Sequence, residues 1–197
     1  MADERKRGQE LEVAILEAAD EIIKNLGYEQ LTFQNVAKQA ETSRSVIYRR
    51  YETPIDLLRA LVRYKLERAL GGNMIDLFEE NGSLRADLLA AIRLYHKFSE
   101  AVGPEVLSAM LFELSQKNQG SQRWVKQARE GNIELMKKIQ EFASQRGEIN
   151  HEFSTLQMTL PFDLLRLEYI INSGNVTDEY MTQLVDEVLL PIYLGKK

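Results

Sequence analysis

Cysteine is absent from this chain of 197 residues, which excludes disulfide frameworks, thiolate nucleophiles and cysteine-ligated zinc or iron–sulfur centres together. Proline occurs only at positions 54, 104, 161 and 191, and no stretch shows the apolar–polar alternation between turn dipeptides that marks strands. No apolar run approaches the roughly 20 residues that a membrane-spanning helix needs. The opening Met-Ala-Asp-Glu-Arg-Lys-Arg-Gly lacks the apolar core of a signal peptide, so a soluble cytoplasmic protein without membrane contact is expected. Positive charge is not in excess either: the formal net charge is -5, and the molecule as a whole is no basic nucleic-acid coat. Gly-rich phosphate loops, serine nucleophile elbows and zinc-ligand spacings are missing. The one Glu-x-x-His string, Glu148 to His151, has no second copy to complete a di-metal helical site, since His96 follows Arg93 at that spacing. The chain is therefore expected to be no enzyme and to need no metal or cofactor.

What is present is helical periodicity nearly everywhere, on a chain long enough for one full core or for a small module joined to a larger one. A first helix is expected from about Gly8 to Leu26, with Leu11, Ile15, Ala18, Ile22 and Leu26 on one stripe and Gly27 as its stop. Thr32 can cap a second helix that buries Phe33, Val36, Ala37 and Ala40. After Glu41-Thr42-Ser43, a short helix from Arg44 to Arg50 points Ile47 inward with Tyr51 one turn on. Thr53-Pro54 is a start signal for the next helix, running to about Leu70 before Gly71-Gly72. Further helices are expected at Leu84 to Ala101, Pro104 to Lys117, Ser121 to Gln145, Phe153 to Ser173 and Thr177 to Leu194, separated by Gly, Asn and Ser turns. Pro161 should kink its helix. The fold class is all-α.

The stretch from Ala37 to Leu58 carries the functional signal. It reads as helix, three-residue turn and second short helix with arginine, serine and tyrosine outward, a helix-turn-helix suited to a phosphate backbone and base edges. Residues 1–51 hold eight Lys or Arg against nine Asp or Glu, so the module is polarised rather than basic. Three arginines and no acid lie between Thr42 and Tyr51, and Arg5, Lys6 and Arg7 form a second cluster. Arg44 and Arg49 can make bidentate contacts to guanine edges or phosphates. Ser43 and Ser45 are short donors that allow close approach, and Tyr48 can reach a phosphate or pack on a thymine methyl. Thr32 and Gln34 sit where a helix start meets phosphate.

Leu26-Gly27-Tyr28, Leu31-Thr32, Val36-Ala37, Ala40, Ser43, Ile47-Tyr48, Tyr51, Thr53 and Leu57-Leu58 together resemble the amino-terminal DNA-binding domain of the tetracycline-repressor family of transcriptional regulators. Arg146-Gly147-Glu148 and the run from Val185 to Pro191 are similar to a carboxy-terminal pattern of that family. The resemblance implies a DNA-binding domain at 1–53 and a helical ligand-binding and dimerisation domain at 54–197. It implies a homodimeric repressor whose third helix enters the major groove of a palindromic operator, with release by a small molecule and a four-helix interface built from the last two helices. Two positions depart from the pattern. Glu41 replaces a usual glycine, and Pro54 replaces a usual phosphate-reaching lysine, so Thr53 or Arg50 would have to take over that contact. In the carboxy-terminal part, Tyr95, Phe98, Phe112, Trp124, Phe162 and Arg166 are candidates to line an effector cavity, with ordinary core packing as the competing explanation. A helical adaptor that keeps this fold but binds protein is the alternative function.

Overall fold

The computed structural model describes residues 8–72, 74–116 and 119–195, the side chains of 119–121, 123–125 and 128 excepted. The cluster Arg5, Lys6 and Arg7, and Lys117 at the expected end of a helix, lie outside the described residues. All regular structure among the described residues is helical, and no helix among them is long and apolar enough to cross a membrane. The chain divides into two compact units, one of Met1–Ala69 with Glu105–Gln122, the other of Leu70–Pro104 with Arg123–Lys197.

In the first unit, α1 (Gln9–Leu26) carries Glu10 and Glu12 in its first turn and Lys24 in its last, the charge order that a helix dipole favours. Its buried side is Ile15, Leu16, Ala18, Ala19, Ile22 and Ile23. Leu26, expected on the buried stripe, is exposed, because the helix ends there and Gly27 turns the chain away at φ 88°. A 3-10 turn at Tyr28–Gln30 leads to α2 (Phe33–Gln39), capped by the Thr32 hydroxyl, which accepts from the Asn35 N–H at 3.2 Å. Phe33, Val36, Ala37 and Ala40 are all buried. The helix closes with Thr42 N–H donating to the Ala37 carbonyl at 2.9 Å, a six-to-one closure whose pivot is Glu41 at φ 53°. That pivot is the left-handed position where glycine is the usual residue.

α3 (Arg44–Tyr48) is a helix of five residues seated on Ile47, which is fully buried. α4 (Pro54–Leu70) starts on a reciprocal cap: Asp56 N–H donates to the Thr53 hydroxyl at 3.3 Å, and Thr53 N–H donates to the Asp56 carboxylate at 3.1 Å. Leu57, Leu58 and Leu61 of α4 reach zero exposure, each burial contributing on the order of 2 kcal/mol. Asp20 of α1 accepts from Lys24 and Lys65, both at 2.6 Å, tying α1 to α4. α7 (Pro104–Ser115) belongs to this unit despite its place in sequence: Tyr28 donates to Glu113 at 2.6 Å and meets the Phe112 ring edge-on at 5.9 Å.

The second unit contains α5 (Met74–Leu77), α6 (Leu84–Val102), most of α8 (Gln119–Gln145), α9 (Thr155–Ile171), α10 (Asp178–Gln183), a π-helical segment Leu184–Leu189 and α11 (Leu190–Leu194). Ser83 caps α6, and a full capping box of Ser154 and Gln157 starts α9. Pro161 lies buried inside α9 without ending it. The expected last helix is present but interrupted: over Leu184–Leu189 the backbone widens, with Leu184, Val185 and Leu189 buried. Its core is built on Leu88, Ile92, Leu135, Ile139, Phe162, Leu165 and Tyr193, all nearly or fully buried.

One polar knot holds the start of α6. Arg146 donates to Asp87 at 2.7 Å, to Glu148 at 2.8 Å and to Glu80, while the other Glu148 oxygen accepts from the Leu84 N–H. Asp87 has no exposed surface, so its charge is matched inside the fold rather than by water. The Glu-x-x-His string therefore spends its glutamate on Arg146 and Leu84, and its histidine sits exposed in a bend.

Candidate nucleic-acid interface

Thr32, Gln34, Ser43, Arg44, Ser45, Tyr48, Arg49, Arg50 and Thr53 are all exposed. α2 and α3 place them: burial of Phe33, Val36 and Ala37 turns Gln34 outward, and burial of Ile47 turns Arg44, Ser45, Tyr48 and Arg49 outward. Arg44 and Tyr48 stand one turn apart on the same side of α3. Ser43 and Ser45 share a hydroxyl–hydroxyl bond of 2.9 Å at the opening of that helix.

The electrostatics of this surface differ from those of the unit that carries it. Among the described residues, the ion pairs of the first unit join Asp20 to Lys24 and Lys65, Asp56 to Arg59 and Glu17 to Arg68. None reaches Arg44, Arg49 or Arg50. Tyr51 is buried, its hydroxyl without a hydrogen-bond partner among the described residues, and burial followed by the Glu12 charge pushes that hydroxyl's pKa up against Arg50 and Arg63.

Tyr48 is 60% exposed, yet its ring is held by the buried Phe33 ring, edge-on at 4.9 Å and 86°. Sequence reasoning placed both residues but missed the pairing, which joins α2 to α3. It also missed that the Thr53 hydroxyl donates to the Asp56 carboxylate at 2.7 Å. The signal was readable: Thr53-Pro54-Ile55-Asp56 is a capping-box spacing with aspartate as its last member.

Of the residues expected at an effector cavity, the second unit brings three together. Tyr95 and Phe162 meet edge-on at 5.1 Å, and Arg166 Nε donates to the Tyr95 hydroxyl at 2.9 Å. Burial pushes the Tyr95 hydroxyl pKa up, opposed by Arg166. Asp163 accepts from Arg166 at 2.8 Å and from Arg129 at 3.3 Å, placing two guanidinium groups on one carboxylate. Next to Tyr95 on α6, His96 keeps Nδ1 buried without a hydrogen-bond partner among the described residues. Phe98 is half-buried on α6, Phe112 lies in the first unit against Tyr28, and the Trp124 side chain is outside the described residues. An open groove of about 480 Å³ runs along α6 past Leu89, Ala90, Arg93 and Lys97, and none of the six expected residues lines it.

Residues 15–61 match the profile described as bacterial regulatory proteins of the tetR family, and residues 78–188 match a tetracyclin repressor-like C-terminal domain. A DNA-binding transcriptional repressor TetR from Mycobacteroides abscessus is 22% identical over 184 residues, covering 93% of this chain and 94% of its own. Among solved structures, the transcriptional regulator FadR of Bacillus subtilis in complex with stearoyl-CoA aligns at a TM-score of 0.69 and 21% identity, over 94% of this chain and 99% of that one. AibR in complex with isovaleryl coenzyme A and operator DNA aligns at 0.63 and 18%, over 95% and 100%. At these identities the structural likeness is one of fold.

Proposed function

The chain belongs to the tetracycline-repressor family of bacterial DNA-binding transcriptional regulators, and from that premise we propose that it is a homodimeric repressor which binds a palindromic operator and leaves it when a small anionic effector binds. The observation that carries the DNA part is the set of Arg44, Arg49 and Arg50, exposed on or beside a five-residue helix and matched by no described carboxylate. Residues 1–53 take the reading role and 54–197 the effector and dimer roles.

Dimerisation is supported by a stripe on α9. Leu156 is 74% exposed and Ile171 66%, with Leu167 also exposed and Leu160 and Leu164 half-buried between them, all within one helical face. Exposed Val188 and Leu194 extend the apolar surface of the carboxy-terminal helices. Such a run of large apolar side chains marks an association surface, and a twofold dimer reads an operator of matching symmetry.

For the effector, Tyr95, Phe162 and Arg166 offer aromatic walls and a cation in one place. FadR and AibR, of the same fold, carry acyl-coenzyme A thioesters, so acyl-CoA is the class to test first. The test is footprinting of the chain's own upstream DNA over a salt series, with and without a panel of acyl-CoAs. The expected result is protection of a palindrome that weakens with salt by about 0.9 log units per log unit for each phosphate contacted, and that is lost when one acyl-CoA is added. Absence of protection at low salt would instead favour the adaptor function, for which Glu41 and the Asp56 carboxylate on the Thr53 hydroxyl are the relevant features.

A further inference from the structure

We infer that Phe33 is a positioning residue for operator binding, acting through Tyr48. The inference rests on the DNA-reading role of Tyr48 and adds to it a residue that cannot itself touch DNA. Phe33 is 6% exposed and opens α2 directly after its cap Thr32. Tyr48 closes α3 and is mostly exposed, and its edge-on contact with Phe33 at 86° is the only ring contact it makes among the described residues. No hydrogen bond holds the Tyr48 hydroxyl to a described residue, so the edge-on Phe33 ring is the one directional contact that orients it among the described residues.

An exposed tyrosine free to change rotamer must be ordered when DNA binds, and the ordering of one such side chain weakens association about two- to tenfold. A ring edge seated on a buried face removes part of that loss before the DNA arrives. The seat also fixes where α3 lies against the start of α2. Thr32 and Gln34 on α2 and Arg44 and Tyr48 on α3 then present one surface with set spacing. A leucine at position 33 would keep the apolar burial but remove the flat partner for the tyrosine edge.

The experiment is a double-mutant cycle on a duplex that the wild-type chain selects from a randomised pool. Phe33→Leu, Tyr48→Ala and the double variant are compared for affinity, salt slope and melting temperature. The expected result is that Phe33→Leu weakens binding about two- to tenfold, and that in the Tyr48→Ala background the same change has no further effect. Thermal melting separates this from misfolding, because a loss of stability by Phe33→Leu persists in both backgrounds whereas the loss of affinity does not. Equal weakening by Phe33→Leu with and without Tyr48 overturns the positioning role and leaves the DNA-reading role of Tyr48 standing. Unchanged affinity in Tyr48→Ala removes that reading itself, and this inference with it.

Discussion

The arginines on and beside α3 are used differently from those of the second unit. In the second unit Arg85 and Arg93 form two-pronged pairs with Asp186 and Asp178, Arg129 and Arg166 share Asp163, and Arg146 gathers Glu80, Asp87 and Glu148. In the first unit Arg44, Arg49 and Arg50 have no such partner among the described residues, although Arg59 and Arg68 do. On the proposed function, the difference separates charge that holds a fold together from charge that meets the operator. The same distinction applies to apolar groups: Leu165 is buried by its own chain, while Leu167, two residues on, is not.

Breaking the internal side of this comparison should have the largest effect. Arg146→Met leaves Asp87, which has no exposed surface, buried without its cation, and removal of one partner from such a pair destabilises by about 3–5 kcal/mol. Denaturant unfolding should show that loss. Acid should act on the same unit. Burial would raise the Glu148 carboxyl, but Arg146 and the Leu84 N–H outweigh it and hold it below its ordinary value. Arg93 does the same for Asp178 and Arg85 for Asp186. Stability from these groups is fully present above their unfolded values, near ~4, and is lost as pH falls through the lower folded values. In Arg146→Met the acid transition should begin at higher pH, since Glu148 no longer has its main stabiliser. An unshifted transition would mean that the knot does not set acid stability.

Next in size is the apolar comparison. Leu167→Glu places a charge on the exposed stripe of α9 and should give monomers by sedimentation with melting little changed. Operator affinity should then fall on the order of 10²-fold or more, as the second reading head is no longer tethered. Leu189→Glu would answer a different question, because Leu189 is fully buried in its own subunit and a charge there unfolds the chain. A Leu167→Glu protein that remains dimeric would exclude α9 from the interface.

Arg44→Ala comes third. Its expected cost is about 1–3 kcal/mol in operator binding, with a salt slope lower by about one if it contacts phosphate, and no change in melting. A drop in melting temperature would place Arg44 with the fold-holding arginines and break the comparison.

These contrasts also explain what sequence could reveal. Thr32, Thr53-Pro54, Ser83 and Gly27 act on neighbours within a few residues, so helix ends were legible to within a residue or two. Ile47 and Tyr51 were legible as inward because α3 is short and has one apolar side. Asp87 with Arg146 lies 59 positions apart, and no local rule pairs them. Nor does periodicity reveal that α7 joins the first unit through Tyr28 and Glu113, or that the last helix widens at Leu184, where the apolar pattern stays helical. Among effector candidates the same limit applied: Tyr95, Phe162 and Arg166 meet, while Phe112, on α7, is in the other unit.

Glu41 tests the comparison at its finest scale, because two residues share its backbone geometry in different units. Glu41 and Ser173 both hold positive φ, 53° and 52°, at helix ends, where Gly147 does the same with no side chain to strain. A non-glycine residue in this region carries about 1–2 kcal/mol of strain, from which glycine's greater freedom in the unfolded chain subtracts about 0.5–1 kcal/mol. Glu41→Gly and Ser173→Gly should therefore each stabilise by roughly 0.5–1 kcal/mol, a rise of about 2–4 °C at the upper end. Only Glu41→Gly also removes an acid three residues before Arg44, so it alone should tighten operator binding, and more at low salt than at high. If both variants raise melting but neither alters binding, the Glu41 carboxylate points away from the DNA and its replacement of glycine affects the fold alone.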